Sequence, residues 1–162
     1  MSRAGRRMGR RWRRAVPAAL VLAGALLAAC SKSEAPVAAP APVEIGSDAR
    51  FEAIGYYCGM ELAEHSGPKG QIHLASRAQP LWFSSVRDTI AFLRLPEEPR
   101  DIVAVYVNDM GRAGNWEQPE AGTWVDARSA WYVTDSQVRG GMGAPEAIPF
   151  SQAQAAEAFR DR

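Results

Sequence analysis

The chain has 162 residues, 47% hydrophobic and 23% charged, with two Cys and two His, which suits one domain or two very small ones packed together. Its formal charge of +1 hides an uneven distribution: seven arginines lie in the first 14 residues, while from residue 30 onward 12 basic residues face 18 acidic ones, a formal −6. That portion has no basic cluster to replace counterions around phosphates, so nucleic-acid binding is excluded, and the Cys and His content fits neither a disulfide scaffold nor a four-ligand structural zinc site.

The arginines are followed by Ala15 to Ala29, fifteen residues without a charge. As a helix this stretch spans about 22 Å, short of the roughly 30 Å hydrocarbon core of a bilayer. A basic start, a short apolar run and a small-residue end read as an export signal over residues 1–29. Its end, Leu27-Ala28-Ala29-Cys30, resembles the bacterial lipobox. The resemblance implies cleavage before Cys30 and acylation of that residue, with several acyl chains making a stable anchor. Ser31 in place of an Asp favours outer-membrane sorting by the same resemblance, and the arginines leave the export route open. Residues 31–44 contain three prolines and few large apolar groups, so they read as an extended tether. Lipid anchor and tether then occupy residues 30–48, with folded structure from about residue 49.

The next stretch, Ile54-Gly55-Tyr56-Tyr57-Cys58-Gly59-Met60, carries the strongest chemical signal. With Cys30 consumed by lipid, Cys58 is a lone thiol in an oxidising compartment, exposed to oxidation and cross-linking. Gly59 gives the backbone freedom to turn the sulfurs of Cys58 and Met60 toward one point. Thiolate plus thioether is a soft donor pair that suits copper(I) and does not suit magnesium or calcium. The competing reading is a buried Cys beside a Met that fills core space. Copper(I) accepts two or three ligands, and the candidate third donors are His65 in a polar turn, His73 in a strand, Met110 at a strand end and Met142 in a glycine-rich segment.

Further along, Gln71 to Ser76 alternates Ile72 and Leu74 with polar neighbours and predicts a half-buried strand. A turn at Arg77–Pro80 leads to a second short strand, Leu81–Ser84. Ser85 followed by Asp88 predicts a capped helix start, and Pro96 its end. Ile102–Val107 is a β-branched run typical of a buried strand, and Gly111–Gly122 is a loop. Thr123–Val125 closes that loop, a strand follows at Ser129–Thr134, and Gln152–Arg160 forms an amphipathic final helix. Phe83-Ser84 before Ala91-Phe92 recurs as Phe150-Ser151 before Ala158-Phe159, at an offset of 67 residues. Read as an internal repeat, this gives an α+β fold of two similar strand–strand–helix–strand units, about 49–110 and 111–162, with antiparallel sheets. Trp82, Trp116, Trp124 and Trp131 supply core or rim area. The chain offers no HExxH, no phosphate-cradling loop and no Ser-His-Asp arrangement, and Asp126 has no partner marking it as a base.

The lipobox, Cys58-Gly59-Met60, Pro80-Leu81-Trp82-Phe83, Val105-Tyr106-Val107-Asn108-Asp109-Met110, Trp124-Val125-Asp126-Ala127, Ala130-Trp131-Tyr132-Val133, Met142-Gly143 and Pro149-Phe150 resemble, in that order, the NosL family. The resemblance implies a periplasmic, membrane-anchored copper(I) chaperone. Such a protein delivers copper to the nitrous oxide reductase apoenzyme, for its copper–sulfide centre, together with a membrane-bound Nos complex of the ABC type. It also implies a fold of two similar α+β halves related to a domain of the organomercurial lyases, with Cys58 and Met60 as ligands. The third ligand (His65, His73 or Met110) is not carried over. The family usually continues past the final helix, whereas this sequence stops at Arg162. Two other readings stand beside carriage: a thiol-dependent enzyme with Cys58 as nucleophile, for which no resolving Cys or base is evident, and a scaffold lipoprotein without metal.

Overall fold

The computed structural model describes residues 38–46 and 53–162. The export segment, Cys30 and the first part of the expected tether lie outside the described residues. The elements run β1 (Gly70–Leu74), β2 (Leu81–Phe83), α1 (Val86–Arg94), β3 (Ile102–Asn108), β4 (Trp124–Asp126), β5 (Trp131–Val133), β6 (Ile148–Phe150) and α2 (Ala153–Arg160). Four strands form one sheet in the order β2-β1-β3-β4, and β5 and β6 form a second, every pair antiparallel. The fold is α+β, and no helix among the described residues is long and apolar enough to cross a membrane.

α1 starts where its sequence says it should. Ser85 is extended and its hydroxyl accepts from the Asp88 N–H at 3.0 Å, satisfying one of the donors that a helix start leaves free. The helix lays Phe92 against Phe83 of β2, ring centroids 5.5 Å apart, over Ile72, Leu74, Leu81 and Val105. Full burial of one such aromatic side chain stabilises by about 1.5–3 kcal/mol. The same arrangement returns 67 residues on: β6 ends at Phe150, α2 follows, and Phe150 meets Phe159 at 5.4 Å over Val133, Ile148 and Ala156. The first unit is the expected strand–strand–helix–strand. The second repeats strand–strand–helix, and β4, expected in the second half, pairs instead with β3 through Tyr106↔Asp126 and Asn108↔Trp124.

Two expectations need correction. β1 is buried along its whole length rather than on one side. Ile72 and Leu74 face α1, while Gln71 and His73, on the opposite face by strand alternation, are also covered. Part of what covers them is the second departure: residues 38–46, expected as free tether, are docked on the sheet. Gln71 accepts from the Val43 N–H at 2.8 Å and donates to the Val43 carbonyl at 3.0 Å, so one side-chain amide serves both polar groups of that peptide segment. Tyr106 donates to the Pro40 carbonyl, and Glu44 accepts from Gly122 N–H and from the Trp124 indole. Val43 packs on a third cluster of Leu62, Trp82 and Trp124. A segment poor in apolar groups therefore orders itself on hydrogen-bond partners supplied by the sheet, which composition alone does not reveal.

Candidate metal centre

Cys58 sits in a tight loop closed by the Ile54↔Glu61 bridge. Gly55 N–H donates to Met60 O at 2.9 Å, Gly59 N–H donates to Gly55 O at 2.8 Å, and Gly59 takes φ +66°, a left-handed conformation that glycine adopts without steric cost. Gly55 matters for a second reason: a Cβ there would collide with the Cys58 sulfur, so only glycine lets the thiol lie over the loop backbone. The loop is fastened to the edge of β2 by Tyr56 N–H donating to Trp82 O at 2.7 Å. Tyr56 and Tyr57 rest on Phe83, and Tyr56 also reaches Phe92. Both phenols donate to Glu98, at 3.2 and 2.7 Å. Burial, reinforced by that carboxylate, raises both phenol pKa values, so they remain protonated donors.

Past the loop, a 3-10 turn at Leu62–Glu64 buries Leu62 and swings the chain back, so His65 comes beneath the thiol. The Cys58 Sγ to His65 Nε2 separation is 3.8 Å. The other ring nitrogen, Nδ1, lies 3.1 Å from the carbonyl of Gly141. His65 is 8% exposed, Cys58 half-buried and Met60 41% exposed, so the pair is sheltered on one side and open on the other. The turn carrying His65 is held by Lys69, whose buried ammonium donates to the carbonyls of His65 and Gly67, each at 2.6 Å. Burial lowers the Lys69 pKa to about 8, against an opposing attraction from Glu146 and Glu117.

The remaining candidates go elsewhere. His73 lies in β1 with its Nε2 2.8 Å from Gln71 Oε1; an amide oxygen only accepts, so that nitrogen carries the proton, and burial lowers the ring's pKa. Met110 packs against Val133, Ile148 and Phe150 and fills core space. Met142 is exposed at the tip of a small hairpin closed by the Arg139↔Pro145 bridge. Asp126 accepts from the Arg128 N–H at 2.7 Å and shapes the turn into β5. Sequence reasoning did not find Tyr56, Tyr57, Glu98, Lys69 or Gly141. A buried-lysine position just before a strand and the paired glycines 140 and 141 were the signals available, and neither points to Cys58 without the fold.

A cysteine sulfur and an imidazole nitrogen 3.8 Å apart suit one ion held between them. With bonds of about 2.3 Å to sulfur and about 2.0 Å to nitrogen, lengths typical of such donors on zinc, that separation corresponds to an S–metal–N angle of about 125°. The angle is close to trigonal, and the donors are soft or borderline, which favours a soft or borderline metal ion over hard cations. Among the described residues no group of three or more His, Cys, Asp or Glu side chains could hold a metal ion. The fold is that of a small α+β protein in which a half-buried thiol and a buried imidazole from two neighbouring turns come together, a donor pair of the kind that soft metal ions favour.

The NosL family profile matches residues 45–162, and the chain belongs to the NosL family. It is 50% identical over 136 residues to the copper-binding lipoprotein NosL of Achromobacter cycloclastes, covering 83% of this chain and 67% of that protein. It is 36% identical over 104 residues to the copper-binding lipoprotein NosL of Stutzerimonas stutzeri, covering 64% of this chain and 53% of that protein. The matched regions thus span about two thirds and about half of those relatives. The fold is similar to the crystal structure of the copper chaperone NosL from Shewanella denitrificans, with a TM-score of 0.66 and 31% identity over 77% of this chain and 88% of that one.

Proposed function

We propose that the protein is a periplasmic copper(I) carrier, held at the membrane by acyl chains on Cys30 and sorted to the outer membrane. It delivers its ion to the nitrous oxide reductase apoenzyme for the copper–sulfide centre, working with a membrane-bound Nos complex of the ABC type. Cys58 binds as thiolate, its proton displaced by the metal itself, and Met60 adds a sulfur whose ligation does not depend on pH. His65 is the third donor. The observation that carries this reading is the 3.8 Å approach of His65 Nε2 to Cys58 Sγ in the loop that also presents Met60. Low coordination on a half-open surface lets an incoming ligand of the recipient replace these donors one at a time, so the cargo moves without ever being free. Copper–NosL names among the relatives support the cargo, and the lipobox supports the anchor.

Competition against a copper(I) chelator under reducing conditions tests the reading. Cys58→Ser is expected to abolish tight binding, and His65→Ala and Met60→Ala to weaken it by tenfold or more, while His73→Ala and Met110→Ala leave the affinity within a few-fold. Unchanged affinity in Cys58→Ser defeats the proposal. Covalent labelling of Cys58 by a substrate with no copper bound would move the protein to thiol chemistry, and partner capture indifferent to loss of both sulfurs would make it a scaffold.

A further inference from the structure

His65 receives its orientation from the other end of the chain. Its Nδ1 is 3.1 Å from the Gly141 carbonyl, 76 residues away, while its Nε2 faces the Cys58 sulfur. A carbonyl oxygen only accepts, so in the neutral ring Nδ1 is the nitrogen that carries the proton, and Nε2 is left with its lone pair toward the thiol. This is the tautomer that free histidine in water disfavours. We infer that the Gly141 carbonyl is a positioning group for the metal centre, fixing the His65 tautomer and ring direction so that Nε2 is a ready donor before any ion arrives; its consequence for copper rests on the carrier reading above.

The packing around Gly141 explains how a flexible-looking segment can hold a ring in place. The hairpin is cross-linked by Gly140 N–H donating to Ala144 O at 3.0 Å and Gly143 N–H donating to Gly140 O at 2.8 Å. Gly141 presses directly on the His65 turn, and Gly140 on Glu146. A Cβ on Gly141 would stand 2.6 Å from His65 Cβ and 2.8 Å from Ser66 O, while one on Gly140 would strike the carboxylate of Glu146. Glu146 in turn accepts from Arg87 N–H and Ala147 N–H, both at 2.9 Å, tying the hairpin base to the start of α1. Below the ring, Lys69 holds the His65 carbonyl. The imidazole is therefore clamped from the second unit while the thiol belongs to the first. Any side chain at position 141 must lift the hairpin, and the carbonyl leaves the ring with it.

Nitrogen-15 NMR of the metal-free wild-type chain gives the direct test, at about pH 8 where an ordinary imidazole is neutral. The expected pattern for His65 is a protonated Nδ1 and an unprotonated Nε2; the reverse pattern, or a rapid mixture of the two, overturns the inference. The readout needs no copper, so it fails separately from the carrier reading. Gly141→Ala supplies the second arm: the Nδ1–H signature is expected to disappear and copper(I) affinity to fall about 10- to 100-fold, the range seen when an outer partner of a metal-ligating His is lost. A Gly141→Ala protein that keeps both the tautomer and the affinity overturns the inference as well. Wild-type protein showing the Nδ1–H form yet binding no copper would defeat the carrier reading alone.

Discussion

Lys69 is 3% exposed, and its ammonium is satisfied by two carbonyls rather than by a carboxylate. Burial lowers its pKa in the fold to about 8 from an ordinary 10.5. Between those values the unfolded chain binds a proton that the folded chain has released, so the penalty for burying the charge applies below about pH 8 and is lifted as pH rises toward 10.5. The neutral amine keeps two N–H groups for the two carbonyls, and the weaker bonds it makes are already contained in the net lowering of the pKa. The urea midpoint of metal-free wild type, taken relative to Lys69→Met, is expected to rise across that window; a flat difference would show that the ammonium is not desolvated. At this scale the sequence was informative where chemistry is local. Cys58, Met60 and His65 lie within one short stretch and can be weighed together by eye. His73 is as eligible as His65 on sequence, and Met110 stays a candidate, because nothing in a residue's neighbours along the chain says which face of a sheet it occupies. Gly141 was invisible for a related reason: its contribution is a backbone carbonyl, which every residue possesses.

The helices show how one pattern, used twice, is finished differently. Both follow a short strand ending in Phe-Ser, and both set an aromatic ring against the Phe of that strand. Ser85 caps α1 through its hydroxyl, whereas Gln152 at the head of α2 makes no side-chain cap. Ser85→Ala is therefore expected to cost about 1 kcal/mol, and Gln152→Asp to stabilise by up to about the same amount, each read as a shift in thermal midpoint. The positions of α1 and β3 were legible because capping residues, Pro96 and a β-branched run are strong local signals. The Phe-Ser recurrence likewise pointed to the matching short strands before each helix. Local signals do not say which strand lies beside which, so the pairing of β4 with β3 across the expected half boundary had to come from the fold.

Taken whole, the domain is larger than its sequence suggests, because residues 38–46 belong to it. Glu44 alone engages Gly122 N–H at 3.0 Å and the Trp124 indole at 3.1 Å. Glu44→Ala leaves both donors without that carboxylate, and a loss of about 1.5–3 kcal/mol is expected, the usual range for hydrogen bonds to a charged group. Tryptophan emission should shift to the red in the same variant as Trp124 meets water, and an unchanged spectrum would mean that the strap contributes nothing to the cluster. The strap also closes one side of the Leu62–Trp82–Trp124 cluster, on which the 3-10 turn leading to His65 is built. Composition read this stretch as too poor in apolar groups to fold, and by itself it is; the partners that order it are Gln71, Tyr106, Gly122 and Trp124, all distant in sequence.

The three apolar clusters are built without Cys58, Met60 or His65, and the loop that presents Cys58 is pinned by its own backbone bonds and by Trp82. That separates this protein from small metal-dependent domains, in which removing the ion dissolves the structure. Under the carrier proposal, giving up the ion leaves all three clusters in place. On that proposal the emptied protein can be refilled without refolding, and oxidation of the Cys58 thiol is a route by which it would be lost.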